Sequence, residues 1–209
     1  MKASAEPKRL RTGATFETVP YLRRVIVATV GVVYFSGTGT TREIADSVCT
    51  GVQNTDSTCL VHEIVGGDIG EGRWHNDAIA ESLDACDAIV FGSPTYMGGV
   101  SAQLKAFFDA MVPRWYSEAW HGKLAAAFTV SAKVSGDKLN CLQDINTFAM
   151  QMGMIWIGTG SGFAEEQGPN GFYLGVGATA HSPAAITEVD TKSAVQLGQR
   201  VATLAAKFG

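Results

Sequence analysis

No apolar run in the 209 residues approaches the length of a membrane-spanning helix, so the chain offers no candidate for a helix through a bilayer. Cysteine is scarce. Cys49, Cys59, Cys86 and Cys141 stand apart, with no C-x-x-C and no metal-ligand spacing. That excludes a zinc ribbon or dithiol motif and fits thiols used as small buried apolar groups in a reducing cytoplasm. The histidines (His62, His75, His121, His181) share no ligand spacing either, so no metal is expected. Basic residues are not in excess: 16 Lys and Arg face 20 Asp and Glu, for a net charge of −4. Electrostatics therefore gives no case for nucleic acid or an anionic membrane as partner. No Ser-His-Asp set, internal repeat or second composition zone stands out.

What is present is a globular composition, 46% hydrophobic and 17% charged, long enough for one α/β domain with a full core. Residues 1–24 are basic (Lys2, Lys8, Arg9, Arg11, Arg23, Arg24) and precede an apolar run. This copies the start of a signal peptide. Cleavage there would remove the first strand, however, so a flexible extension ahead of a domain spanning 25–209 is the reading adopted. That domain opens on Val30, Val32, Val33, Tyr34 and Phe35, a run suited to a strand buried on both faces. The run ends in Ser36-Gly37-Thr38-Gly39-Thr40-Thr41, and a helical pattern follows.

A hydroxyl-rich turn between a strand and a helix N-terminus can cradle an anion. Free N–H groups and the helix dipole both face it. The alternative is a turn whose Ser and Thr merely cap the helix. A Walker A loop would need a Lys after the last Gly, where Thr40 stands. A dinucleotide fingerprint would need Gly at position 42, where Arg stands.

The remainder alternates. Ile44, Val48 and Val52 stripe a helix, and Thr58–Ile64 reads as a second strand. Residues 66–72 are loop and 77–83 a short helix. A third strand, 88–91, runs into Gly92-Ser93-Pro94-Thr95-Tyr96-Met97-Gly98-Gly99. Ser101 caps a helix striped by Leu104, Phe107, Phe108 and Met111. Residues 114–120 read as an aromatic loop. A fourth strand, 124–130, ends in Ser131-Ala132-Lys133-Val134-Ser135-Gly136-Asp137. A helix striped by Leu139, Leu142, Ile145, Ala149 and Met152 follows, then a fifth strand at 154–157 and a Gly-rich loop to about 183. A last helix, 191–207, buries Ala194, Leu197, Val201, Leu204 and Phe208. Asp84 and Asp87 read as solvated turn residues, and Glu165-Glu166 as solvent-facing. Such βα alternation predicts a doubly wound parallel sheet of five strands, with ligands beyond the strands' carboxyl ends at the switch in strand order.

The first loop, S-G-T-G-T-T, resembles the T/S-x-T-G-x-T loop of flavodoxin-like flavoproteins, which holds the phosphate of FMN. The stretch from Ile89 to Asp109 resembles the segment of WrbA-type NAD(P)H:quinone oxidoreductases whose G-[ST]-P-T-x-x-G-x-x-[SA] loop carries the isoalloxazine ring. Trp115 precedes G-K-x-A-x-x-F, matched at Gly122–Phe128. The family's C-terminal P-x-G loop maps more loosely onto Pro169–Gly171.

The resemblance implies a flavodoxin-like α/β fold with strand order 2-1-3-4-5 and one bound FMN. It implies two-electron, ping-pong reduction of quinones by NADH or NADPH, with the flavin N5 rather than a side chain carrying the hydride. FMN would be held by Ser36, Gly37, Thr38, Gly39, Thr40 and Thr41, by Pro94, Thr95, Tyr96, Met97 and Gly98, and by Ser131, Ala132, Lys133, Val134, Ser135 and Gly136. Trp115 would wall the substrate pocket, or else serve simple interface packing. The family is dimeric or tetrameric. Two departures stand out. Gln151-Met152 replace the family's His pair, and the third loop is poorer in Ser, Thr and Gly. A flavodoxin-type one-electron carrier is the competing function, and an FMN-free binding scaffold a third.

Overall fold

The computed structural model describes residues 27–160 and 172–208. The N-terminal extension, Glu165-Glu166 and the Pro169–Gly171 match lie outside the described residues. The main sheet has the order β2 (Thr58–Ile64), β1 (Thr29–Phe35), β5 (Ala88–Pro94), β6 (Leu124–Ser131), β7 (Ile155–Trp156), all paired in parallel. Counting only the strands of this sheet gives the expected 2-1-3-4-5. The fifth position differs from expectation. It is shared by β7, which pairs with the start of β6, and β8 (Val176–Thr179), which pairs with its end. What reads as one long loop after Gly158 thus returns to the same sheet edge. Its Gly-rich residues hid the strand.

Side chains alternate across the sheet. Val30, Val32, Val90 and Phe128 face one core under α1 (Thr40–Gln53) and α6 (Glu188–Phe208). Val33, Ile89, Phe91 and Ala127 face a second core under α2 (Asp77–Asp84), α3 (Ala102–Ala110) and α5 (Lys138–Gln151). Asn76 and Ser101 cap α2 and α3 through their side-chain oxygens. The supposed loop at 66–72 contributes β3 (Ile69–Gly70), which pairs with β4 (Arg73–Trp74) as a small antiparallel ribbon. The first part of the aromatic loop is helical: α4 (Val112–Tyr116), with Pro113 in its first turn, runs into it.

Several expectations are corrected. Leu139 and Phe208 are exposed, not buried. On α5 the inward positions are Lys138, Cys141, Leu142, Ile145 and Ala149, so the stripe starts one residue earlier than the apolar pattern suggests. Phe208 is the final residue of α6 and is exposed there. Asp84 is no solvated turn residue: its carboxylate accepts from Arg114 Nε at 2.9 Å and from Trp120 Nε1 at 2.7 Å.

The reading of four free thiols also fails. Cys49 on α1 and Cys59 on β2 form a disulfide, their Cα atoms 5.6 Å apart. The return of the chain after α1 brings them face to face, which spacing alone does not reveal. The pairing removes the argument from thiols to a reducing compartment. Cys86 and Cys141 are free and buried, and burial pushes the Cys86 thiol up to about 11 and Cys141 upward as well. Among the described residues no helix is long and apolar enough to cross a membrane.

Candidate functional site

Because β1, β5 and β6 are neighbours and parallel, the loops leaving their carboxyl ends gather at one rim of the sheet. The first loop turns at Gly39, whose φ of 92° is left-handed, and α1 begins at Thr40 without a side-chain cap from Gly39. Ser36 Oγ instead reaches across the turn, accepting from the N–H of Gly39 (3.1 Å) and of Arg42 (3.3 Å). The Thr38 and Thr40 hydroxyls lie 2.8 Å apart. Thr40 and Thr41 are buried, and their N–H groups have no partner among the described residues. Two free amides on a 14-residue helix, with hydroxyls beside them, suit a phosphate monoester. Arg42 is not needed for charge there, since Glu63 holds its guanidinium at 2.6 and 2.8 Å.

The second loop leaves β5 through buried residues. Ser93 Oγ accepts from the Ser101 N–H at 2.9 Å. The Thr95 hydroxyl bonds that of Thr129 at 2.7 Å. Pro94 is the last residue of β5 and is buried, so it shapes the strand end. Tyr96 and Gly99 then exchange backbone bonds of 3.0 and 3.1 Å around Met97 and Gly98. Both central residues have positive φ, 47° and 86°. This is a tight primed turn that ordinarily takes Asn-Gly, with a methionine in place of the Asn. Met97 is fully exposed at its tip, beside half-exposed Tyr96. The two loops touch: a methyl on Gly37 would overlap the Tyr96 hydroxyl.

The third loop is a coil closed by left-handed Gly136 and Asp137. Ala132, Lys133, Val134 and Ser135 are exposed. Ser131 Oγ donates to the Lys133 carbonyl at 3.0 Å. Beneath the loop lies Lys138, fully buried. Its ammonium donates to the carbonyls of Lys133 (2.7 Å) and Val134 (2.9 Å) and to Thr179 Oγ1 (2.8 Å). Burial holds its pKa below the ordinary lysine value, and Asp190 partly offsets that.

Beside the second loop, a groove of about 960 Å³ runs between α3–α4 and α5. Tyr96, Met97, Trp115, Tyr116, Gln151 and Met152 are among its walls. Phe108 and Phe148, stacked at 3.8 Å, also line it. Trp115 therefore stands with the second loop, as do the Gln and Met at the positions of the expected histidines. Trp120 does not: it is wholly buried in the core. Sequence reasoning missed Tyr116 and Asp144, which line the groove, and Lys138 beneath the third loop. For Lys138 a signal existed, since the stripe Cys141, Leu142, Ile145, Ala149 extends back one turn to it. Asp84, Arg114 and Trp120 carry no local signal of their pairing.

The arrangement fits FMN: two free amides with hydroxyls beside them and no Lys at the first loop, a close approach of Gly37 to the Tyr96 hydroxyl, and a groove with aromatic walls beside the second loop. The profile of the NADPH-dependent FMN reductase family matches residues 60–168. A flavodoxin FldP of Pseudomonas aeruginosa is 37% identical over 157 residues, covering 73% of this chain and 80% of that protein. An NAD(P)H dehydrogenase (quinone) of Archaeoglobus fulgidus is 30% identical over 196 residues, covering 87% of this chain and all of the relative (100%). Among solved structures, a WrbA-like flavodoxin from Agrobacterium tumefaciens superposes with a TM-score of 0.71 at 36% identity, covering 87% of this chain and 99% of that one. The chain belongs to the flavodoxin-like, FMN-dependent oxidoreductases of the NADPH-dependent FMN reductase family, in its WrbA-type branch.

Proposed function

We propose that this chain is an NAD(P)H:quinone oxidoreductase that works by a ping-pong cycle, NAD(P)H and a flat quinone using the same space in turn. The observation that carries the reading is the open groove walled by Tyr96, Met97, Trp115 and Tyr116, with Lys105, Asp109 and Asp144 among its other walls, which is rich in aromatic side chains and large enough for a planar ring. FMN, when bound, supplies the two-electron transfer chemistry. The amides of Thr40 and Thr41 and the hydroxyls of Ser36, Thr38 and Thr40 hold the phosphate. The turn at Met97-Gly98 and the loop 131–136 would hold the ring, with backbone donors rather than a strong acid or base to stabilise developing charge. Trp115 closes the groove from the side. A homo-dimer or homo-tetramer belongs to the same proposal.

The second reading, a one-electron carrier, is favoured by the 37% identical relative named as a flavodoxin. Against it, a carrier needs no ring-sized groove, and a net charge of −4 is mild for one that docks electrostatically. The deciding experiment mixes the FMN-loaded protein with NADPH and benzoquinone. Steady turnover with parallel double-reciprocal lines is expected. Absence of turnover, with a one-electron-reduced flavin persisting through stepwise reduction, establishes the carrier instead.

A further inference from the structure

Helix α5 lies under the rim rather than on it, yet its first two turns reach both ring-side loops. Asn140 Nδ2 donates to the Gly98 carbonyl at 2.8 Å. Asp144, four residues on and so on the same helix face, accepts from the Val100 N–H at 3.3 Å. The two contacts bracket the Met97-Gly98 turn on its exit side. Lys138 makes the corresponding contact with the third loop, through the carbonyls of Lys133 and Val134, and ties it to β8 through Thr179. The Phe172 ring lies 5.9 Å from its ammonium.

The orientation has a consequence. In a trans peptide the C=O and the following N–H point in opposite directions. Carbonyls 133 and 134 are drawn inward onto the ammonium, so the N–H groups of Val134 and Ser135 face outward on the exposed side of the loop. Neither N–H has a partner among the described residues. A buried lysine thereby converts an otherwise irregular loop into an outward pair of backbone donors. An electron-rich ring edge, such as the pyrimidine end of a flavin, is what such donors recognise.

We infer that α5 is the frame that holds the second and third loops in their ring-binding shapes, with Lys138, Asn140 and Asp144 as positioning residues for FMN. The inference rests on the FMN reading above. It assigns no contact with FMN to these residues; Asp144 also lines the groove, so the readouts are loop exchange and FMN affinity rather than turnover. Asn140 and Asp144 are exposed, so their job is local and their removal leaves the core intact. Lys138 is buried, and its replacement also leaves three oxygens without their donor.

The test compares wild-type protein with the double variant Asn140→Ala/Asp144→Ala, with Asp144→Asn, and with Lys138→Met, whose unbranched side chain keeps much of the lysine stem. Hydrogen exchange is followed on FMN-free protein, and FMN affinity by fluorescence quenching. In the double variant, exchange should quicken at residues 97–101 and not at 131–137. The FMN Kd should rise about tenfold for two lost hydrogen bonds, with Tm changed little. Asp144→Asn retains an acceptor and should restore the wild-type Kd when Asn140 is kept. Lys138→Met should raise the FMN Kd while leaving exchange at 97–101 unchanged, because the exposed N–H groups of 132–135 carry no hydrogen bond whose loss exchange could read. Should it fail to fold, the double variant still decides. Unchanged loop exchange, or an unchanged FMN Kd, in the double variant overturns the inference. Wild-type protein that takes up no FMN overturns the FMN reading instead, while the exchange data on the FMN-free protein still report whether α5 holds the second loop.

Discussion

Met97 is where local preference and the structure disagree most openly. A left-handed residue other than Gly or Asn costs about 1 kcal/mol, and an exposed methionine gains nothing from burial to offset it. Natural chains keep such violations where a surface is used. Met97→Asn, the residue this turn ordinarily takes, should raise Tm by about 2–4 °C for a domain of this size. It should also lower quinone turnover, because the apolar tip over the groove is lost. Thermal unfolding and the benzoquinone assay check the two halves; a lower Tm would show that the methionine packs rather than strains. The loop itself was legible, since Gly92 to Gly99 carries its own turn residues. The strain at Met97 was not, because φ depends on how Tyr96 and Gly99 close across it. The same distinction separates the first loop, whose hydroxyls announce themselves, from Asp84, whose partners Arg114 and Trp120 come from 30 and 36 residues away.

At the scale of elements, α1 and α6 cover one face of the sheet and meet through two glycines. A methyl on Gly51 would overlap the Val195 carbonyl oxygen, and one on Gly198 the Val48 carbonyl oxygen. The helices therefore approach to backbone contact, as small residues allow. On propensity alone Gly→Ala in a helix gains about 1 kcal/mol. Here the overlap is with backbone, which cannot rotate away, so each of Gly51→Ala and Gly198→Ala should destabilise by about 1–3 kcal/mol. The pair should cost less than the sum, since the first methyl already parts the seam the second would fill. Urea unfolding of the singles and the double measures this, and a stabilised single variant would refute the seam. The stripe Ile44, Val48, Val52 made α1 readable as a helix on the sheet, but Gly51 gave no sign that it touches α6. Nor did the sequence disclose that β8 completes the edge begun by β7: sheet pairing across an insertion is decided by contacts with β6, not by the inserted residues.

At the scale of the molecule, apolar side chains remain uncovered on one side of the rim. Met97, Val112, Trp115 and Tyr116 are all exposed and all border the groove, with Trp115 and Tyr116 ring centroids 4.8 Å apart. Trp115 and Tyr116 give this side of the rim an exposed aromatic pair, and exposed apolar groups that gather in one place serve contacts with ligands or partners. The pair's position beside the ring-side loop makes assembly and the shape of the groove one question. Asp84 anchors this patch from below, through Arg114 on α4 and the buried Trp120, so α4 is presented on a fixed base. If copies of the chain meet there, Tyr116→Glu places a charge in the contact, where its desolvation opposes association. Sedimentation should then show wild-type protein at a multiple of 22.1 kDa and the variant at the monomer mass. The phosphate loop and the turn at Met97-Gly98 are untouched by this change, so FMN should still bind. Quinone KM should rise, because the groove loses whatever wall the neighbouring copy provides. Wild-type protein that sediments as a monomer at micromolar concentration would leave the aromatic wall to the substrate alone, and Tyr116→Glu would then act on KM without any change in mass.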